Sequence, residues 1–331
     1  MEILKKLVEG RDLSAHEAGE LMEGIMGGAL THAQMAGALV ALRMKGETPE
    51  EISEFARVMR KHAASIHPKA GMLADTCGTG GDSSHTFNVS TAAAIVACAA
   101  GVAVAKHGNR SVSSKCGSAD VLEALGVKML PPEKAEECIN RTGFGFMFAP
   151  YFHPAMKNVM PVRKELGVRT VFNVLGPLTN PAGAQAQVLG VFDAGLLEKL
   201  ADVLLLLGTK HSLVVHADGL DEIGLGKTSV REIREGKIRE FVLDAQELGF
   251  ENRKIPTCAS KEESAKILLD VLSGKETGAA LDAVLVNAGA AIYVAGKAGT
   301  IGKGVELARE AVASGKASAK LEEIRKFCEE S

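Results

Sequence analysis

Through the first sixty residues, apolar side chains recur at every third or fourth position, which is the spacing of one face of a helix. The two clearest stripes consist of Leu21, Met22, Ile25 and Met26, and of Leu39, Val40, Leu42 and Met44. These stripes are wide for a unit of this size. We therefore expect the helical unit to pack on another domain or on a second subunit.

Three capping boxes place the starts of these helices. In each, a Ser or Thr is followed three positions later by Glu or Gln: Ser14 with Glu17, Thr31 with Gln34, and Thr48 with Glu51. Such a pair satisfies two backbone N–H groups that a helix N-terminus leaves free.

From about residue 70 the pattern changes to short apolar runs that alternate with helical spacing. The predicted strands cover 72–76, 102–105, 127–130, 144–148, 186–192 and 212–217, and the predicted helices between them cover 90–100, 118–125, 132–142 and 193–207. Segments 228–233 and 238–243 indicate an antiparallel hairpin, and the chain from Lys261 onward is predicted to be helical, with a buried Ala-rich helix near 277–296. The alternation predicts an α/β fold with a mainly parallel central sheet flanked by helices.

Composition narrows the function classes. The 331 residues carry 38 Lys and Arg against 41 Asp and Glu, and a net charge of -3 argues against a general nucleic-acid binder. Six cysteines contain no CxxC pair, so a zinc ribbon is not indicated. No leader and no apolar run of spanning length is evident, so we expect a cytoplasmic protein without a membrane segment.

Three loops that follow predicted strands carry the candidate chemistry, since ligands of open parallel sheets bind beyond the carboxyl ends of the strands. In the first, Gly78, Gly80 and Gly81 permit close backbone approach, and Asn88 to Thr91 open a helix. Consecutive backbone N–H groups and a helix N-terminus suit a phosphate or pyrophosphate. The alternative is a glycine turn followed by an ordinary N-cap.

In the second loop, Lys106, Arg110 and Lys115 are interleaved with serines, a mixture of cations and hydroxyls that suits a polyanionic ligand. In the third, Asp221 and Glu222 offer the hard oxygen ligands that Mg²⁺ prefers. Each has a plain alternative as a solvated surface loop. Arg163, on a helix predicted to begin near Pro154, is suited to grip a carboxylate, although a lone helical Arg is more often a surface ion-pair partner.

Taken together, these motifs resemble the anthranilate phosphoribosyltransferase family of the tryptophan pathway over essentially the whole chain. The matching segments are GTGGD (78–82), NVST (88–91), KHGNRSVSS (106–114), GSAD (117–120), RKELGVRTVFNVLGPLTNP (163–181) and GLDE (219–222). The resemblance implies a helical domain over 1–66, with a contribution from about 154–180, and an α/β domain over 70–331. It also implies homodimers formed through the helical domains. Cys77, Ser84, His85 and Lys227 depart from the commonest pattern.

The resemblance implies the following site residues. Those that would contact 5-phosphoribosyl 1-pyrophosphate (PRPP) are Gly78, Gly81, Asp82, Thr86, Asn88, Val89, Ser90, Thr91, Lys106, His107, Gly108, Asn109, Arg110, Ser111, Val112, Ser113, Ser114 and Ser118. Those that would hold magnesium are Ser90, Asp221 and Glu222. Those that would receive anthranilate are Gly78, Asn109 and Arg163, with His107 and Pro177 along its path.

The implied reaction transfers the phosphoribosyl group to the amine of anthranilate, and we expect no residue to act as nucleophile or strong general base. One rival, a pyrimidine nucleoside phosphorylase, shares the architecture but would carry a KHSTGG type of loop where this chain has GTGGD. A second rival keeps the fold and binds nucleic acid. Such a protein should be basic and should lack the Asp221–Glu222 pair.

Overall fold

The computed structural model describes residues 2–80, 85–111 and 116–331. The N-terminal part forms four helices: α1 (Glu2–Val8), α2 (Ala15–Met26), α3 (His32–Lys45) and α4 (Pro49–Lys61). The three predicted capping boxes are confirmed, because each Ser or Thr side chain accepts a backbone N–H and each Glu or Gln reaches back to the cap.

The wide apolar stripes of this part are divided between the interior and the surface. Leu39 and Leu42 are buried, but Met44, predicted to belong to the same stripe, is 82% exposed, and Val8 on α1 is also exposed. The buried residues share one core cluster with residues of the α/β part, among them Leu189 and Leu200. Packing against the α/β part therefore covers much of the apolar surface that the four helices could not bury among themselves.

The α/β part is built on a seven-stranded sheet in the order β3-β2-β1-β4-β5-β6-β7. Its strands are β1 (Leu73–Gly78), β2 (Ala103–Gly108), β3 (Phe144–Phe148), β4 (Ala186–Gly190), β5 (His211–Ala217), β6 (Lys227–Arg234) and β7 (Lys237–Asp244). β1 to β5 pair in parallel, whereas β6 and β7 form the predicted antiparallel hairpin at one edge. The mainly parallel sheet is confirmed.

One predicted strand is wrong: residues 127–130 form no strand. Val127 and Leu130 are buried, which explains the apolar pattern, but Pro131 and Pro132 follow at once and lack the N–H groups needed for pairing. The side chain of Cys328 lies 3.9 Å from the carbonyl of Lys128, so the C-terminal helix packs against this segment.

Helices cover both faces of the sheet and make up most of the C-terminal part. They are α5 (Val89–Ala99), α6 (Ser118–Ala124), α7 (Pro132–Thr142), α8 (Ala149–Phe152), α9 (Met160–Leu166), α10 (Phe172–Leu175), α11 (Leu196–Leu206), α12 (Lys261–Leu272), α13 (Ala279–Val294), α14 (Ile301–Ala313) and α15 (Lys316–Glu330). The Ala-rich helix α13 is buried along most of its length, as predicted. Within the described ranges, no helix is both long enough and apolar enough to cross a membrane.

Candidate active site

The acidic turn, defined here as Asp221 and Glu222, is hydrogen-bonded directly to the first glycine-rich loop. The backbone N–H of Gly80 donates to Asp221 Oδ2 at 2.8 Å. At the N-terminus of α5, the backbone N–H of Ser90 donates to Glu222 Oε1 at 3.1 Å. Both contacts place carboxylate oxygens where the sequence predicted that a phosphate would bind, so the first and third loops share one site.

Glycines at the ends of two adjacent strands make room for this turn. A Cβ atom at Gly78, the last residue of β1, would overlap the Asp221 carboxylate, and one at Gly190, the last residue of β4, would overlap the Asp221 main-chain carbonyl. Sequence reasoning missed Gly190, because a single glycine at a strand end carries no signal of what packs against it.

Asn287 on the buried helix α13 fixes the residue after the acidic turn. Its Oδ1 accepts the backbone N–H of Ile223 at 3.0 Å, and its Nδ2 donates to the Ile223 carbonyl at 2.9 Å. A side-chain amide that pairs with both groups of one residue restrains the backbone there. The sequence analysis also missed this contact, which joins residues 64 positions apart.

Lys106 lies almost fully buried, with 2% of its surface exposed, at the carboxyl end of β2. Its ammonium group donates to the carbonyl of Thr76 and lies 3.4 Å from both Thr76 Oγ1 and Ser90 Oγ. The cation that the sequence assigned to a second loop therefore points into the first.

The second loop is also joined to the first through Asn88, whose Nδ2 donates to the Cys116 carbonyl at 3.3 Å. Arg110, by contrast, points to acidic neighbours: its guanidinium pairs with Asp120 at 3.1 Å and with Glu123 at 2.6 Å. The hydrogen bond to Glu123, and after it the one to Asp120, raise the pKa of Arg110 above its ordinary value. A ligand anion would have to compete with two carboxylates for this side chain.

Two buried histidines meet beside the same loops. The rings of His107 and His153 lie 5.0 Å apart between centroids. His107 Nδ1 lies 3.1 Å from the carbonyl of Gly176, so it carries the proton and donates. Neither Nε2 atom has a hydrogen-bond partner in the part of the chain that the structure describes. Two buried ring nitrogens without a partner, one of them the acceptor Nε2 of His107, indicate a place for a polar ligand group.

Burial lowers the pKa of His107 to about 3 and that of His153 to about 4, from the ordinary value of 6.5. Between pH 6.5 and these values the unfolded chain binds more protons than the folded one, so stability falls as pH falls, by up to about 1.4 kcal/mol per pH unit per histidine. We expect urea unfolding of His153→Asn to depend less steeply on pH from 6.5 to 4.5 than the wild type. His16→Asn, on the exposed surface of α2, is the control, and identical slopes in all three proteins would refute the assignment.

Arg163 lies on α9, apart from the three loops. Its guanidinium carbon is 5.2 Å from the centroid of the Phe172 ring, and Nη1 is 3.8 Å from the Met160 sulfur. No carboxylate of the described ranges forms an ion pair with it, and burial lowers its pKa. The contacts of Arg163 are thus within its own segment, and they leave the charge free for an external anion.

The other residues implied by the resemblance fall into distinct places. Gly81, Asp82, Val112, Ser113 and Ser114 lie outside the described residues. The side chains of Val89 and Thr91 are fully buried, so only their backbone could face a ligand. At the rim of the second loop, the Asn109 carbonyl accepts the Ser118 hydroxyl at 3.3 Å, Ser111 donates its N–H to Asp120, and Gly108 ends β2.

Thr86 borders a separate groove of about 720 Å³, together with Gly219, Lys227 and Lys254. This groove shares none of the residues that hold the acidic turn, namely Gly80, Ser90 and Asn287. Cation-bearing walls could hold an anion there too, so it is the main competing location for a polyanionic ligand.

Gly190→Ala should move the acidic turn, because the added methyl group would overlap the Asp221 carbonyl. Overpacking of this kind destabilises by about 1–3 kcal/mol. We expect a lower midpoint of urea unfolding and weaker Mg²⁺ dependence of any PRPP binding. Gly71→Ala, where nothing lies within 4 Å of the new Cβ, is the control. A Gly190→Ala protein that unfolds like wild type and binds alike would contradict the packing argument.

Comparisons with known proteins show the family of the chain. Residues 70–318 match the model of the glycosyl transferase family, a/b domain, and residues 1–63 match that of the glycosyl transferase family, helical bundle domain. The chain is 51% identical to the anthranilate phosphoribosyltransferase of Methanocorpusculum labreanum over 98% of this chain and 96% of that one.

Among solved structures, the anthranilate phosphoribosyltransferase of Thermus thermophilus matches with a TM-score of 0.95 and 48% identity, over 99% of this chain and all of that one. The Saccharomyces cerevisiae enzyme, solved in complex with PRPP and Mg, matches with a TM-score of 0.91 and 30% identity, over 100% of this chain and 98% of that one. The fold is that of the glycosyl transferase family. Within it, the chain belongs to the anthranilate phosphoribosyltransferases, which confirms the family predicted from the motifs.

Proposed function

We propose that the protein transfers the phosphoribosyl group of PRPP to the amine of anthranilate, which yields N-(5-phosphoribosyl)anthranilate and pyrophosphate in tryptophan biosynthesis. The observation that carries this proposal is the contact of the acidic turn with both Gly80 and Ser90, beside the ammonium group of Lys106. Two carboxylates, the backbone amides of a glycine-rich loop and of a helix N-terminus, and a buried cation in one place are what a magnesium-bound pyrophosphate requires.

The residues proposed to bind PRPP are those that the resemblance implies; among them Gly78 and Ser90 lie against the acidic turn, and Lys106 lies next to Ser90. The described ranges contain no group of three acidic, His or Cys side chains able to hold a metal unaided. Two carboxylates nevertheless fit Mg²⁺, which usually takes one or two of them and completes its shell with water and substrate phosphates. Ser90, Asp221 and Glu222 are the proposed protein ligands.

The chemistry follows from the charge that develops during the reaction. The amine of anthranilate is a weak nucleophile, so the rate depends on how readily pyrophosphate leaves the ribose C1. Negative charge then builds on the leaving oxygens, where Lys106 and the N-terminal amides of α5 are held in advance. Bound Mg²⁺ would supply further charge stabilisation to those oxygens.

The acceptor is proposed to bind between Arg163 and the histidine pair. Arg163 would hold its carboxylate, Asn109 and the backbone of Gly78 would face its amine, and His107 and Pro177 would flank its ring. With pKa values of about 3 and 4, the histidines are neutral and weakly basic at pH 7. Orientation and proximity are then the contribution of this side of the site, without a nucleophile or a strong general base.

Three features of the whole protein belong to the same proposal. A homodimer formed through the helical part would cover Val8 and Met44, whose side chains are 72% and 82% exposed. The six cysteines, all within the described ranges, form no disulfide, which favours the reducing cytoplasm. The boundary between a helical domain (1–66, with about 154–180) and an α/β domain (70–331) is proposed as the sequence predicted it.

The direct test is to mix the purified protein with anthranilate, PRPP and Mg²⁺ and to follow the fluorescence of anthranilate. We expect the fluorescence to decrease, as anthranilate is consumed, only when all three components are present. One pyrophosphate should be released for each anthranilate consumed. Consumption without PRPP, or pyrophosphate release that does not depend on anthranilate, would contradict the proposed function.

A further inference from the structure

We propose that Asp75 and Asn180 act as positioning residues that set the acceptor wall, defined here as His107, Gly176 and Pro177, at a fixed distance from the PRPP loops. This inference rests on the proposed function, because it assigns the wall to the anthranilate side of the site. Neither residue is expected to touch a substrate.

Asp75 is a carboxylate inside the sheet, with no exposed surface. Its Oδ1 accepts the backbone N–H of His107 at 3.2 Å, across from β1 to β2. Its Oδ2 accepts Nδ2 of Asn180 at 2.8 Å. Burial raises the pKa of Asp75, and the positive charge of Lys106 and the hydrogen bond from Asn180 oppose that shift. A charged group in such a place is expensive unless every oxygen has a donor, and here both oxygens have one.

Asn180 uses both ends of its amide. Besides the bond to Asp75, Nδ2 donates to the carbonyl of Ala105 at 2.8 Å, and Oδ1 accepts the backbone N–H of Ala182 at 3.0 Å. The side chain is 4% exposed. Asn180 therefore joins the segment that follows Pro177 to two neighbouring strands at once.

Three further hydrogen bonds fix the acceptor wall: one comes from β4, one joins His107 to Gly176 within the wall, and one runs from the helical part to the residue after Pro177. Gln187 Nε2 on β4 donates to the Pro177 carbonyl at 2.7 Å, and His107 Nδ1 donates to that of Gly176 at 3.1 Å. From the helical part, Arg60 Nε donates to the Leu178 carbonyl at 2.8 Å. The wall thus lies between the helical part and the sheet, and the Asp75–Asn180 contact ties it to β1, the strand that leads into the glycine-rich loop.

A pair of buried asparagines provides a matched experiment. Asn180→Ala should release the acceptor wall, whereas Asn287→Ala removes an equally buried amide that holds the acidic turn instead. In steady-state assays we expect Asn180→Ala to raise KM for anthranilate by about 10- to 100-fold with KM for PRPP changed less than about 2-fold. Asn287→Ala should raise KM for PRPP and the Mg²⁺ requirement, with a nearly normal KM for anthranilate.

Asp75→Asn keeps the volume of the side chain and is the second test variant, to be used if Asn180→Ala does not fold. The new amide can still accept from His107, but its NH₂ group faces the NH₂ group of Asn180, which must turn and lose its bonds to Ala105 and Ala182. We expect the same selective rise in KM for anthranilate. Equal changes in all kinetic constants for Asn180→Ala and Asn287→Ala would reduce both residues to ordinary core packing and overturn the proposal.

Failure of the two proposals can be told apart. A wild-type protein without transferase activity would refute the proposed function, whereas an active wild type with unselective variants would refute the positioning role alone. Crystal structures of the two variants test the geometry independently of activity. Pro177 should be displaced relative to Gly78 in Asn180→Ala and in place in Asn287→Ala, and the opposite pattern would overturn the proposal.

Discussion

Arg163→Ala is expected to weaken the binding of anthranilate by about 2–5 kcal/mol, while the affinity for PRPP stays near normal. The guanidinium stacks on Phe172, is partly desolvated and has no carboxylate partner in the described ranges. A desolvated cation without a counterion is poised for an anionic ligand, since Arg offers two parallel hydrogen bonds to one carboxylate. Alanine would leave that carboxylate unpaired in the complex.

The measurement is kcat and both KM values for Arg163→Ala, with Arg239→Ala as the matched control. Arg239 also lies over an aromatic ring, that of Phe241 at 5.5 Å, but on the edge strand β7. The control should behave like wild type. Equal losses for anthranilate and PRPP in Arg163→Ala would reject the assignment of this residue to the acceptor.

Replacing Asp221 by Asn and Glu222 by Gln together should raise the Mg²⁺ concentration needed for half-maximal activity by on the order of 100-fold or more. Substitutions that only touch metal ligands typically cost 10- to 100-fold in metal affinity, so loss of two ligand charges should cost at least as much. The amides keep the size of the side chains and can still accept from Gly80 and Ser90, so the turn should keep its place.

Glu329→Gln with Glu330→Gln, an exposed acidic pair at the end of α15, controls for the change in net charge. The activity of that variant should show wild-type Mg²⁺ dependence. If the Asp221 and Glu222 variant also kept wild-type dependence, the acidic turn would be a solvated surface feature, which was the alternative left open by the sequence.

Local signals predicted the elements well where one short pattern decides the structure. The capping boxes of α2, α3 and α4 depend on residues three positions apart. The glycines at and after the end of β1 mark the point where the strand ends and a loop begins. The segment 127–130 shows the limit. Its apolar residues are buried as a strand's would be, but Pro131 and Pro132 follow at once and lack the N–H groups for pairing, so an apolar pattern alone does not decide that a strand forms.

The site follows the same division. Asp221, Glu222 and Lys106 could be proposed from residue type, because acidic pairs and loop cations are visible in the sequence. Gly190, Asn287, Asp75 and Asn180 could not, since each acts on a partner that only the fold brings near: Asn180 meets Asp75 across 105 positions. Residues that support a ligand-binding group carry no chemical signature of their own.

The convergence of the three loops on one cavity is tested most directly by a crystal structure with PRPP and Mn²⁺, which replaces Mg²⁺ and can be located by its anomalous scattering. We predict a Mn²⁺ peak at Asp221 and Glu222, bridged to a pyrophosphate that also contacts the backbone near Gly78 and the N-terminus of α5. A pyrophosphate bound instead in the groove between Thr86, Lys227 and Lys254, with no metal at the acidic turn, would contradict it.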